Sequence, residues 1–339
     1  MALLKRGGLR LVDTLVMVAG ARQTSRIEVP ARFMQRIWIW LQGTLTISVV
    51  TVPGVVHNDG PANLIQQLEL LVDGKTVKIG SGPAFLRIGQ QFDQTDGVNN
   101  GILSGAAGVY PFQALIPLLF EGPSTVSPID TLLDGRLVKN MILNLTWGAA
   151  ANLIVGNTST LALGVVTAEI YLQDTEPFDT QAPFWTMRES ETTFTNIATA
   201  AQTRLPLPFT PGAIVRAIQL RAVDANAGNN PIQTIINTIS IRVNGEEFPW
   251  NQTQDEFDQA VARQLFGRDQ TAMGYYHLEL AEAGRIASTG LGAKLEGQAV
   301  KDIDLILNTT VGGGGAALTM IVAHLVEHVP PEIMGVGVR

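Results

Sequence analysis

Apolar and polar positions along the chain recur mainly at a spacing of two or gather in short apolar runs. Both patterns point to strands, half-buried in the first case and buried on both faces in the second. The candidate strands are Arg36–Val52, Leu64–Val72, Met141–Trp147, Leu161–Leu172, Ala213–Val223, Ile235–Val243, Tyr275–Leu280, Ile303–Leu307 and Ala317–Val326. Ile239-Ser240-Ile241-Arg242-Val243 alternates cleanly, with the aliphatic residues on one face. Only two segments carry a helical signature. Ser81-Gly82-Pro83 opens one, with Phe85, Ile88 and Phe92 on one side and proline in the first turn, where its missing N–H costs nothing. Thr253–Phe266 is the other: Thr253 and Glu256 form a capping box, Phe257, Val261 and Leu265 recur every four residues, and Gly267 supplies a stop.

These elements repeat in order. Leu68–Val77 (LELLVDGKTV) and Ile239–Phe248 (ISIRVNGEEF) each read as a strand, a tight Asp-Gly or Asn-Gly turn, and a return strand. Each hairpin precedes one of the two helix candidates. Upstream, Thr24–Pro30 (TSRIEVP) parallels Gln202–Pro208 (QTRLPLP), and Leu64-Ile65 parallels Ile235-Ile236. Downstream, VKNMILNLTWGAAA from Val138 parallels VKDIDLILNTTVGGG from Val300. A last long strand and then proline follow in both cases, at Pro177 and at Pro330-Pro331. Four matches in the same order, a domain's length apart, indicate duplication with unequal loops. The boundary falls near Pro177–Glu189.

The expected fold is all-β: two tandem jelly-roll β-sandwiches with short inserted helices. Each half holds about eight strands, a count that suits two four-stranded sheets. A closed up-and-down barrel fits less well because long loops such as Gly97–Gly108 interrupt the strands, and immunoglobulin-like sandwiches lack a helix after the hairpin. The domains read as 1–24, an N-terminal basic arm; 25–180, a first jelly roll; and 181–339, a second jelly roll with a short C-terminal tail.

Composition narrows the function classes. The 339 residues are 46% hydrophobic and 16% charged, with 34 glycines and 17 prolines, as for a globular chain rich in turns. No cysteine is present, which removes disulfides, thiol catalysis and zinc–thiolate sites. The net charge of -7 does not suit direct coating of nucleic acid. The charge-free stretch Asn140–Ala168 is broken by polar residues and reads as two strands rather than a membrane helix.

No motif carries catalysis. His324-Leu-Val-Glu327-His328 has its glutamate in the wrong place for a zinc-protease helix, and on a strand residues four apart lie about 13 Å from each other, too far to share a metal. His57 and His277 have no His-X-His context. Asp302 and Asp304 share a strand face and are candidate calcium ligands, against the simpler reading of a solvated face. Gly312–Gly315 lacks the lysine of a phosphate loop and reads as a flexible turn. The sequons at Asn144 and Asn308 fall inside strands. No catalytic, cofactor-binding or metal-binding residue is expected, and no enzymatic activity.

A tandem jelly roll, acidic, cysteine-free and without a reactive site, resembles the double jelly-roll major capsid proteins of tailless icosahedral bacteriophages with an internal membrane, the tectivirus and corticovirus type. The resemblance rests on the hairpins at Leu68–Val77 and Ile239–Phe248, the helices after them, and the VKN and VKD strands at Val138 and Val300, and it spans Ser25 to Pro331. It implies a virion coat protein, assembled in the host cytoplasm as a homotrimer with its strands perpendicular to the shell. The implied partners are neighbouring capsomers, minor or vertex capsid proteins, and an internal membrane. Two similar lobes per chain, repeated three times, give six lobes round one axis and a nearly hexagonal tile. The apolar stretch Gly101–Phe120 is a candidate subunit contact; the alternative is that it packs inside its own half.

Residues 1–26 carry Lys5, Arg6, Arg10, Arg22 and Arg26 against Asp13 alone. Met1–Gly20 mixes leucines with Lys5, Arg6 and Arg10, which makes those three the candidate membrane-facing residues of an amphipathic arm. A first strand or helix packed on the first sandwich is an equal reading. A signal peptide ending at Ala19-Gly20-Ala21 is disfavoured by Asp13 in its apolar centre. Two other functions compete with the shell: a secreted two-domain carbohydrate-binding or glycoside-active β-sandwich, and a minor spike or vertex protein. The first would call for exposed aromatic platforms, whereas aromatics are 6% of the chain and the five tryptophans fall mostly within strands or at their ends.

Overall fold

The computed structural model describes residues 6–48, 52–93, 99–100, 102, 105–120, 131–156, 160–176, 185–197, 202–207, 214–224, 230–232, 235–253, 274–279, 302–310 and 316–327. Eight principal strands build the first half: β1 (Arg6–Val16), β2 (Arg22–Ile27), β3 (Phe33–Ser48), β4 (Ile65–Val72), β5 (Lys75–Gly80), β6 (Gly108–Leu119), β7 (Met141–Trp147) and β8 (Thr167–Thr175). Eight more build the second: β9 (Trp185–Ile197), β10 (Gln202–Pro206), β11 (Ile214–Asp224), β12 (Ile236–Val243), β13 (Glu246–Thr253), β14 (Tyr275–Glu279), β15 (Ile303–Thr309) and β16 (Ala316–Glu327).

Strand order is the same in both halves. The first pairs β1-β8-β3-β6 in one sheet and β2-β7-β4-β5 in the other. The second pairs β9-β16-β11-β14 and β10-β15-β12-β13. All these pairings are antiparallel, and the order is that of a jelly roll. Short strands at Asn99–Asn100, Leu133–Asp134 and Thr160–Leu163 extend the first sheet.

Each sandwich has its own core. In the first, Ile37, Ile39 and Leu41 of β3 belong to one buried cluster with Leu68 and Leu70 of β4 and Leu143 of β7. In the second, Ile218 and Leu220 of β11 cluster with Ile239, Ile241, Leu305 and Leu307. The alternation seen in Ile239–Val243 places its isoleucines inward, and β8 alternates in the same way, with Ala168, Ile170 and Leu172 fully buried.

The hairpins match in detail. Asp73 and Asn244 both take φ of 49°, followed by Gly74 at 77° and Gly245 at 87°, the positive angles that an Asp-Gly or Asn-Gly turn requires. Both turns are strapped to the strand that begins in the VKN or VKD motif. The Asp73 N–H donates to the Asn140 carbonyl (2.9 Å), and its carboxylate accepts the Lys139 and Asn140 N–H groups (2.9 and 2.8 Å). In the second half the Asn244 N–H donates to the Asp302 carbonyl (3.1 Å), and its side-chain oxygen accepts the Asp302 N–H at 3.4 Å. Helix α1 (Gly82–Asp93) follows the first hairpin and buries Phe85 and Ile88. The second expected helix lies outside the described residues beyond Thr253, which is the last residue of β13.

Three expectations change. Leu161–Leu172 is two strands, Thr160–Leu163 and β8, separated where the Gly164 N–H turns aside to the Thr44 carbonyl (2.8 Å). Gly101–Phe120 is not a contact loop over its described length. Residues 108–119 form β6 along the whole of β3, with Ile116 and Leu118 in the core, so the stretch packs inside its own half. Residues 6–16 are not a detached arm: β1 is the edge strand of the first sheet, paired with β8.

Candidate functional site

The two sandwiches meet along a polar seam. Their sheets join there, because β5 of the first half pairs in parallel with β9 of the second, Lys78 opposite Glu189 and Ile79 opposite Ser190. The result is one nine-stranded sheet running from one half into the other. Lys78 Nζ lies 2.7 Å from Glu189 Oε2, and both side chains are essentially inaccessible to solvent. The Lys78 ammonium also sits 5.7 Å from the centre of the Phe120 ring.

A second cluster adjoins the joint. Asp59, fully buried at the start of the short helical turn Gly60–Leu64 that leads into β4, accepts from Arg221 Nη2 (2.6 Å) and Nε (3.0 Å) and from the Tyr275 hydroxyl (2.7 Å). Arg87 of α1 approaches from the other side, 3.9 Å from Asp59 Oδ1 and 5.5 Å from the Tyr275 ring centre. Glu191 accepts both the Ser81 N–H and the Ser81 hydroxyl, the latter at 3.1 Å. The Asn58 N–H donates to Asn230 Oδ1 (2.9 Å), which adds a backbone contact across the seam. His57 is buried, and its Nδ1 accepts the Asp59 N–H at 3.2 Å. A polar cleft of about 530 Å³ opens beside this cluster, lined in part by Asn63, Gln66, Ser81, Glu191 and Arg221.

Burial sets the protonation behaviour. It raises the Glu191 pKa above 4.5, against the pull of the Ser81 hydrogen bonds and the Arg221 charge. It pushes the Tyr275 phenol well up, with Asp59 adding to the effect, so this hydroxyl stays a neutral donor. For Arg221 burial opposes the charge, but the Asp59 carboxylate, which accepts two of its hydrogen bonds, and Glu191 outweigh it and the pKa rises. Lys78, Arg87 and Arg221 thus face Asp59, Glu189 and Glu191 in a charge-balanced junction. Its chemistry is that of an orienting contact, since every charge has an opposite within the seam.

The sequence-predicted residues fall elsewhere. Lys5 lies outside the described residues, and Arg6 is the first residue of β1. Arg10 donates to the Glu28 carbonyl (2.8 Å) and lies 3.6 Å from the Glu28 carboxylate, on an exposed surface. Asp302 and Asp304 flank Arg204, whose Nη2 lies 2.5 Å from Asp304 and 3.8 Å from Asp302, so a guanidinium stands where the calcium reading put a cation. His324 and Glu327 are on strand β16, while His328 and Gly312–Gly315 lie outside the described residues. Among the described residues no group of three or more His, Asp or Glu is placed to hold a metal. No helix of the described residues is long and apolar enough to cross a membrane. Asn144 is spent on Thr24 and Glu69, and Asn308 on Thr238. The seam residues escaped the sequence reading. Their only signal was a charge inside an apolar strand, as at Lys78 between Val77 and Ile79.

Exposed apolar residues stand on the outer face of the first sheet, on β1 and β3, with Gln173, Tyr171 and Glu169 of β8 between them. Leu9 is 59% exposed, Leu11 51% and Trp40 37%. Trp38 lies in the same row, its indole N–H on Gln173 at 3.0 Å.

No protein-family model and no curated protein sequence matches the chain. Solved structures do. The major capsid protein of STIV, the Sulfolobus turreted icosahedral virus, is similar at 13% identity with a TM-score of 0.68, covering 97% of this chain and 99% of that one. The Faustovirus major capsid protein is similar at 8% identity and TM-score 0.62, over 97% and 92% of the two chains. The major capsid protein P2 of bacteriophage PM2 follows at 12% identity and TM-score 0.58, over 95% and 98%. These likenesses give the carbohydrate-binding alternative no support. With two jelly rolls of identical strand order joined side by side, and near-complete overlap with these structures in both directions, the chain has the double jelly-roll fold.

Proposed function

We propose that the chain is the major coat protein of an icosahedral virion, assembling as a homotrimer with a pseudo-hexagonal outline. The observation that carries the proposal is the end-to-end likeness to capsid proteins, 97% of this chain against 99% of the STIV protein. Two lobes of one topology, already set side by side within a chain, are a third of what a six-lobed ring needs, so three chains complete it. Neighbouring capsomers are the principal partners, with minor or vertex proteins at shell positions where six lobes do not fit. The function is structural, and the seam's charges serve assembly geometry rather than turnover. Native mass spectrometry of the purified chain is expected to show a trimer that persists on heating. Monomer alone across a wide concentration range would refute the reading. A copy number in purified particles far below that of a shell protein would reassign the chain to a spike or vertex role.

Lys5, Arg6 and Arg10 are the residues proposed to face an internal lipid layer, the latter two on β1. Each basic residue near an anionic surface adds about 1 kcal/mol, and Arg10, already held by Glu28, adds less than the other two. Because β1 is a sheet strand, the test is charge reversal rather than deletion. Lys5→Glu with Arg6→Glu is expected to lower co-flotation with anionic liposomes while the trimer persists.

A further inference from the structure

The seam inside one chain identifies the contact between chains. The two halves align residue by residue because they share a β-bulge. The β8–β3 pairing steps over Gln35, from Gln173–Arg36 to Asp174–Met34. The β16–β11 pairing steps over Arg216 in the same way, from Ala323–Ala217 to His324–Val215. Gln173 and Ala323 are therefore equivalent, and so are their partners across the next strand, Leu9 on β1 and Glu189 on β9. By the same register Leu11 matches Glu191, Trp38 matches Gln219 and Trp40 matches Arg221. These leucines and tryptophans of the first sandwich thus occupy the positions that, in the second sandwich, the first half covers at the seam.

The other side of the seam has a counterpart too. Counting back from the two equivalent turns, Leu70 on β4 corresponds to Ile241 on β12, and their partners are Lys78 on β5 and Phe248 on β13. Strand β5 is occupied by β9. Among the described residues, β13 pairs only with β12, and β1 only with β8, so both equivalent edges are open.

We infer that β13 of one copy joins β1 of a second copy in the parallel arrangement that β5 and β9 make within the chain, with Phe248 opposite Leu9. This rests on the trimer reading and specifies its interface. The contact is head-to-tail, and in the trimer three repeats of it alternate intrachain and interchain joints round one axis. The chemistry of the two joints differs. An ion pair, Lys78–Glu189, marks the joint within the chain, and an apolar pair, Leu9–Phe248, marks the joint between chains. That difference rejects the wrong pairings, since β5 against a neighbour's β1 would bury Lys78 opposite leucine, and β13 against a β9 would bury Glu189 opposite phenylalanine.

The natural absence of cysteine makes the test direct. Directly opposed residues on neighbouring strands lie about 5 Å apart, within the Cα range of a disulfide. Oxidised Leu9→Cys/Phe248→Cys protein is expected to run as a covalent trimer on a non-reducing gel, whereas either single variant gives no ladder. A second variant, Leu9→Asp/Leu11→Asp, changes residues exposed in the single chain, so its fold is retained. It is expected to weaken trimer formation by at least tenfold in native mass spectrometry. A wild-type trimer whose double-cysteine variant stays uncrosslinked, or whose aspartate variant assembles undiminished, overturns this interface and leaves the trimer standing. A monomeric wild type overturns both.

Discussion

Lys78 and Glu189 show how far a single pair of side chains can be read. Both are buried, their ionic contact is short, and Glu189 Oε1 has no partner among the described residues. A buried pair of this kind is weakly stabilising at best, because desolvation offsets the attraction, but losing one member strands the other charge. Lys78→Met alone is expected to lower stability by about 3–5 kcal/mol. The double change Lys78→Met/Glu189→Met should recover most of that loss, and thermal unfolding of the three proteins checks it. Glu191 gives a pH signature. Its raised pKa means the folded chain holds this proton more tightly than the unfolded chain. The resulting stabilisation is complete below about 4.5 and is lost as pH rises through the elevated value. Glu191→Gln should therefore melt higher than wild type at neutral pH, and the gap should close as the pH falls toward 4.5. None of this was legible in the sequence. A charged residue in a strand run is equally a solvated face, and its partner lies more than a hundred residues away.

At the scale of elements the sequence was far more informative. Asp73-Gly74 and Asn244-Gly245 named their turns because positive φ is tolerated by few residues. Most strand positions followed from period-two burial, and α1 from its proline start. Local pattern failed where tertiary contacts decide. The break at Gly164 depends on Thr44, and whether the apolar Gly101–Phe120 serves a neighbour or its own half depends on its pairing with β3. The strap at the first turn offers a test of element pairing. Asp73→Ala removes the acceptor for two backbone N–H groups and is expected to cost about 1–2 kcal/mol, whereas Asp73→Asn retains an oxygen and should cost less. Denaturant unfolding distinguishes the two. Gly89 is a second constraint, since an added Cβ would lie 2.1 Å from Pro117 Cγ, and Gly89→Ala should displace α1 from β6 and lower the melting temperature.

For the molecule as a whole, duplication was readable because four motifs recur in order, and a shared strand order and a shared bulge now express it in three dimensions. The way the halves join was not readable, because the joint is made by side chains that differ between them. That difference has a consequence for affinity. Lobes of one chain are tethered, so each sees the other at an effective concentration of the millimolar order, and their contact needs only to select an orientation. A buried ion pair suits that task, being selective and adding little net adhesion. Separate chains have no tether and must recruit one another from dilute solution, which takes buried apolar surface. Placing charge at the tethered joint and leucine at the untethered one lets each chain complete its own pair of lobes before committing to its neighbours.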